Sequence, residues 1–228
     1  MPLTQASQKY WFPIQQVMDY LEKVVIQPND KVLEIGPGEW PFKRADVSVD
    51  FANIETKGIK KLVKCDVANE LLPFEDKEFD FVFARQIMED LYDPIHFCSE
   101  MSRVSKKGYI ESPSPMAEMC RGVDGSSPPY RGYYHHRWIT WQFGKELRLV
   151  SKFPIIEYMQ FDESRLEELL KVDRYWNSYN LWEDRIIVNH RQAPLHYDIL
   201  RDYPLMLQEA VERSRESTDI FFSSITKG

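Results

Sequence analysis

The chain has 228 residues, 43% of them hydrophobic and 29% charged, with a formal net charge of −7. That length fits one α/β domain with elaborations, and the apolar share supports a sizeable core and excludes a disordered chain. The acidic balance argues against a general nucleic-acid or anionic-membrane surface, and no run approaches the ~18 apolar residues of a membrane helix.

Taken in chain order, residues 14–25 place Ile14, Val17, Met18, Leu21, Val24 and Val25 at helical spacing, with Pro13 suited to a first turn. Pro28-Asn29-Asp30 breaks the chain, and Lys31–Ile35 reads as a first strand. That strand carries a carboxylate, Glu34, and runs into Gly36-Pro37-Gly38-Glu39-Trp40-Pro41. A carboxylate in a buried strand is costly unless something polar meets it. Glycines let the backbone turn sharply and approach a ligand, and ligands of open α/β sheets sit at the strands' carboxyl ends. The stretch therefore points to a small-molecule site whose ligand offers hydrogen-bond donors or positive charge.

Asp46–Val49, Leu62–Lys64 and Phe79–Ala84 read as further strands, closed in turn by Asp50, by Cys65-Asp66 and by Arg85-Gln86. Too few residues separate Gly38 from the second strand for a full helix, so the first crossover is expected to be a loop. Asp93-Pro94 starts a helix with Ile95, Cys98 and Met101 on one face, and Gly108 is expected to end it before a fifth strand from Tyr109. Strands alternating with helices predict an α/β fold: a doubly wound, mostly parallel sheet with helices on both faces.

From Ser112 to Trp141 the composition changes to prolines, glycines and a dense cluster of Tyr130, Tyr133, Tyr134, His135, His136, Trp138 and Trp141. An aromatic insertion after the fifth strand reads as a lid. Leu147–Val150, Ile155–Tyr158 and Arg185–Val188 look like strands; Asp162 caps a helix, and residues 204–217 form a polar helix. His135 and His136 are the candidate general bases, since histidine titrates near neutrality. Adjacent histidines on a strand would point to opposite faces and no acid completes a ligand set, so no metal is expected. Cys65, Cys98 and Cys120 are odd in number and widely spaced, and fit reduced thiols in a cytoplasmic protein. The N-terminus has no charged region followed by an apolar stretch, so no leader is expected.

Glu34-x-Gly36-x-Gly38, Asp50, Cys65-Asp66-Val67, Leu72-Pro73-Phe74 with Glu75–Phe83, and Met88–Pro94 occur in the order found in one family. The pattern resembles the class I S-adenosylmethionine-dependent methyltransferases, of the methyltransferase type 11-like kind. The resemblance, which covers about residues 30–113, implies a Rossmann-like sheet with a cofactor-binding core there; the aromatic segment reads as a lid or insertion at 114–145, and 146–228 as completing strands and a C-terminal helix, all one domain. It also implies S-adenosyl-L-methionine as cofactor, held by Glu34, Gly36 and Gly38 at the methionine end, Asp50 at the ribose, and Asp66 and Val67 at the adenine. Arg85 would face cofactor or acceptor, and methyl transfer would go to an oxygen or nitrogen of a small-molecule or sugar-like acceptor. The chain departs from the family at Trp40, where a third glycine is usual, and resembles a subset with Gly-Pro-Gly, Pro-Phe and Ala-Asp, here Gly36–Gly38, Pro41-Phe42 and Ala45-Asp46. Two rivals remain: a catalytically silent binding partner on the same fold, and a nicotinamide-dependent oxidoreductase. Pro41 at the latter's third-glycine position, and Glu34 and Glu39 near a pyrophosphate, count against it.

Overall fold

The computed structural model describes residues 12–53, 56–191 and 198–226. Among these the first strands are β1 (Val32–Ile35), β2 (Val47–Asp50), β3 (Leu62–Lys64), β4 (Phe79–Arg85) and β5 (Ser105–Pro113). They are followed by β6 (Trp138–Phe143), β7 (Glu146–Ser151), β8 (Asn177–Glu183) and β9 (Ile187–His190). The central sheet runs β3-β2-β1-β4-β5-β8, all parallel except β8, which pairs antiparallel to β5. The α/β, doubly wound, mostly parallel sheet expected from the sequence is present. Strand order reverses between β1 and β4, which opens a crevice at their carboxyl ends.

Alternation along the buried strands assigns each side chain to a face. Val32, Phe81, Phe83, Tyr109 and Tyr179 pack under α1 (Gln15–Tyr20, continued as a π-turn over Leu21–Val25). Leu33, Ile35, Val82, Ala84 and Ile110 pack under α2 (Pro94–Val104) and against Leu147 and Leu149 of a small second sheet, β6-β7-β9. Asp93 caps α2 by accepting the His96 N–H at 2.8 Å. The apolar face of α2 is carried by Phe97, Cys98, Met101 and Val104, while Ile95 is exposed.

The first crossover holds no helix: Pro37–Asp46 is a loop that drops Phe42 and Ala45 into the core. The Phe42 ring stacks on Phe83 at 4.2 Å, and Phe83 on Tyr109 at 5.6 Å, so an aromatic column takes the place of a packed helix.

Four expectations change. Ile155–Tyr158 lies in a 3-10 turn, not a strand, because Pro154 starts a helical bend. The C-terminal helix α5 (Ile199–Ile225) is longer than expected and buries Tyr203, Leu207, Ala210, Val211 and Phe222; its apolar stripe, not a polar face, docks it. Much of the aromatic insertion is core: Tyr133 and Trp141 are buried beside the short helix α3 (Pro115–Met119) and α4 (Glu163–Leu170), leaving Tyr130 and Tyr134 outside. Gly108 sits inside β5, since α2 already ends at Val104. All three cysteines are buried and unpaired, and no described helix is long and apolar enough to cross a membrane.

Gly108 is needed for closeness rather than for a turn. A Cβ there would stand 2.6 Å from the Val82 carbonyl and 2.7 Å from the Trp182 ring. Gly108→Ala should therefore lower stability by about 1–3 kcal/mol, the usual cost of overpacking. An unchanged urea midpoint would contradict this packing.

Candidate functional site

A cleft of about 740 Å³ lies at the carboxyl ends of β1 and β4, within the range of small-molecule sites. Glu34, Gly36, Pro37, Gly38, Glu39, Trp40, Phe12, Phe83, Arg85 and Gln86 line it. Gly36 and Gly38 have φ of +66° and +50°, the left-handed region that favours glycine. A Cβ on Gly36 would run into the Ile87 side chain, whereas the space around Gly38 is open, so that turn can receive a ligand against bare backbone. Trp40 stands at the mouth, half exposed, edge-on to Phe12 at 5.2 Å.

Glu34 is buried on β1 opposite Ser48 and Phe83. Its Oε1 accepts the Phe42 N–H at 2.7 Å and its Oε2 the Ser48 hydroxyl at 3.1 Å. The donors missing from the sequence reading are thus partly the protein's own. Burial pushes the Glu34 carboxyl up to about 7, against the opposing pull of those two hydrogen bonds and of Arg85.

Beneath the cleft, Arg85 Nη2 donates to Glu111 Oε1 at 3.0 Å, Asn177 Nδ2 to the same oxygen at 2.8 Å, and the Tyr109 hydroxyl to Oε2 at 2.6 Å. Glu111 is fully enclosed, so the Arg85 charge is largely spent within the protein. Gln86 adopts φ +54°, held there by its N–H on the Glu111 carbonyl (2.9 Å) and its Nε2 on Asn177 Oδ1 (3.2 Å). Left-handed non-glycine residues cost about 1–3 kcal/mol and gather at functional sites. Glu111 and Asn177 had no sequence signal, since they arrive from β5 and from the distant β8.

Asp50 closes β2 on the same edge of the sheet, and its Oδ1 accepts the Ala52 N–H. Asp66 follows β3; its Oδ1 accepts from the Ala68 N–H and its Oδ2 from the Asn69 amide, while Val67 packs half-buried against the core. These three lie outside the lining of the cleft, as do the two histidines.

His135 and His136 sit in a turn ahead of β6, not on a strand, and their rings do not diverge: the centroids are 4.5 Å apart. His136 is buried with Nδ1 2.6 Å from Glu118 Oε1, and Lys152 Nζ donates to Glu118 Oε2 at 2.5 Å. Burial alone would raise Glu118, but Lys152 and His136 outweigh it and hold the carboxyl below its ordinary value. Burial alone would lower His136, but Glu118 reverses it and the imidazole titrates above its ordinary value. His135 is half exposed and held low by burial and by the His136 charge; its Nε2 lies 3.9 Å from Asp90 Oδ1. Glu89, fully buried next along the chain, is pushed up to about 8 by burial.

The raised Glu34 carboxyl has a signed consequence. Its ordinary value is 4.5 and its folded value about 7, so between these the folded state keeps a proton that the unfolded chain has lost. Stability from this group is therefore greatest at low pH and declines as pH rises through that window, by up to about 3 kcal/mol. Glu34→Gln should remove the dependence, gaining roughly 1–3 kcal/mol on wild type between pH 5 and pH 8 in urea titrations. A difference constant over that range would contradict it.

Residues 43–110 match the family model described as "Methyltransferase domain". An uncharacterized protein of Methanocaldococcus jannaschii is 35% identical over 89 residues, 36% of this chain and 42% of that protein, so the chain spans less than half of that relative's length. Among solved structures, a methyltransferase of Thermotoga maritima gives a TM-score of 0.37 at 17% identity, over 50% of this chain and 57% of the other. The complex of the Trm112 methyltransferase activator with a methyltransferase of Haloferax volcanii gives 0.47 at 12% identity, over 80% and 93%. Residues 43–110 are thus similar to a methyltransferase domain, and the glycine turn at the β1–β4 switch point stands just ahead of the matched segment.

Proposed function

We propose that this protein is an enzyme that transfers a methyl group from S-adenosylmethionine to an oxygen or nitrogen of a small-molecule or sugar-like acceptor. The observation that carries the reading is the buried Glu34 carboxylate beside an open glycine turn in a cleft of about 740 Å³. That combination suits a ligand with positive charge and no phosphate, because a charge-assisted hydrogen bond offsets the cost of the buried carboxylate.

Bound, the cofactor supplies a methyl group on a cationic sulfonium. The backbone of Gly36 and Gly38 receives its methionine end, and Glu34 meets the ammonium there. Asp50, one strand over on the same sheet edge, receives the ribose hydroxyls. Asp66 and the Val67 N–H lie on the adenine side; each Asp66 oxygen retains a lone pair beyond its turn-capping bond. Arg85, tied to Glu111, acts by holding the cleft floor and Gln86 in place. Such positioning supplies most of the rate in an in-line displacement.

On this reading the acceptor side is formed by Asp90, His135 and the exposed Tyr130 and Tyr134. Of the two histidines, His135 is the proton acceptor, being half exposed and held below its ordinary value by burial, while His136 is tied to Glu118, which orients it. The buried, unpaired cysteines support a reducing, cytoplasmic setting.

Calorimetry with S-adenosylmethionine, S-adenosylhomocysteine and NAD tests the reading. Both adenosyl ligands should bind and NAD should not, and Asp50→Ala should weaken adenosyl binding by about tenfold or more, the worth of a hydrogen bond to a charged group. Absence of binding by both adenosyl ligands overturns the proposal. Binding without turnover across broad acceptor panels would favour the silent partner.

A further inference from the structure

We propose that Asp90, His135 and His136 form a binding site for a divalent first-row transition-metal ion, with Glu118 as the group that orients His136. One ligand atom from each of the three lies within 4.8 Å of the others. A tetrahedral site with bonds of 2.0–2.1 Å needs ligand atoms about 3.3 Å apart. The remaining approach falls to Asp90 and His135, whose half-exposed side chains can turn inward. Two imidazoles and one carboxylate select the zinc, iron, cobalt and nickel class over magnesium or calcium, which prefer all-oxygen sites.

Independent features support a built site. His136 uses Nδ1 on Glu118 and so presents Nε2 as its ligand atom, the carboxylate–histidine arrangement that fixes imidazole ligands around metals. Glu118 is completely buried and accepts from Lys152 Nζ, which also donates to the Tyr133 carbonyl at 2.7 Å. Gly132 lets the histidine turn lie this close: at φ +56° a Cβ there would stand 2.6 Å from the Glu118 Cα. The turn is also pinned to the segment that carries Asp90. The Arg137 N–H donates to the Glu89 carbonyl (2.7 Å), Arg137 Nε to the Asp90 carbonyl (3.1 Å), and Trp138 Nε1 to the Leu91 carbonyl (2.7 Å). Buried on the Glu118 side and open on the Asp90 side, the cluster leaves coordination positions for water or an acceptor oxygen.

Asp90 stands four residues beyond Gln86, which lines the cleft, so the ion would sit on the acceptor side. There it would hold a hydroxyl-bearing acceptor and lower that hydroxyl's pKa, replacing His135 as the group that makes it nucleophilic. This role rests on the proposed function; the binding of the ion does not.

The test uses the full chain, stripped with a chelator and titrated with Co²⁺ while its visible ligand-field absorption is followed, then with Zn²⁺ in competition. One ion per chain is expected, with cobalt affinity reduced about tenfold or more in Asp90→Asn and in His135→Ala, each of which changes a half-exposed side chain. Thermal melts establish that both variants are folded. Failure of wild type to take up either metal, or equal cobalt affinity in the Asp90→Asn/His135→Ala double variant, overturns the proposal. S-adenosylhomocysteine binding, measured on the same samples, reports separately on the cleft: its absence would overturn the proposed function and leave the metal result standing.

Discussion

A single buried carboxylate, Glu34, organises this molecule. An uncompensated charge inside a parallel sheet would cost several kcal/mol, so its two oxygens are met by the Phe42 N–H and the Ser48 hydroxyl. The first bond fixes the crossover after β1 without a helix, and Phe42 then fills the vacated space by stacking on Phe83. Because that loop lies low, the glycine turn stands open above it. The carboxylate is thus both a folding element and the polar centre of the cleft.

From Phe83 the column passes to Tyr109, whose hydroxyl donates to Glu111. Glu111 in turn gathers Arg85 and Asn177, and Asn177 holds the Gln86 amide. A continuous chain of stacked rings and charged hydrogen bonds therefore runs from the glycine turn across β4, β5 and β8. It satisfies buried polar groups that would each be costly alone, and it makes the cleft floor rigid. The turn of His135 and His136 is built differently: it is clamped on the segment after β4 by the Glu89 and Asp90 carbonyls, and on α3 by Glu118.

What the sequence made legible was local. Glu34-Ile35-Gly36-Pro37-Gly38 marked a sharp turn at a strand's carboxyl end, and the two glycines do take positive φ beside a cleft there. Asp93-Pro94 marked a helix start by cap chemistry alone, and the short spacing between Gly38 and β2 marked the missing helix. What stayed hidden depends on tertiary neighbours. Gly108 looked like a helix end, but the pressure of Val82 and Trp182 explains it. The aromatic segment looked like a lid, yet Tyr133 and Trp141 are core because α3, α4 and α5 cover them. His135 and His136 were read with strand geometry; the turn that Gly132 permits brings their rings together instead, and Asp90, 45 positions before His135, lies beside them.

The structure of the protein with S-adenosylhomocysteine bound tests most directly whether the Glu34 turn is the cofactor site. The ligand's amino group within hydrogen-bond reach of Glu34, its backbone-facing edge over Gly36–Gly38 and its ribose at Asp50 are the expected result. A ligand seated elsewhere on the chain, with the glycine turn uncontacted, would contradict it.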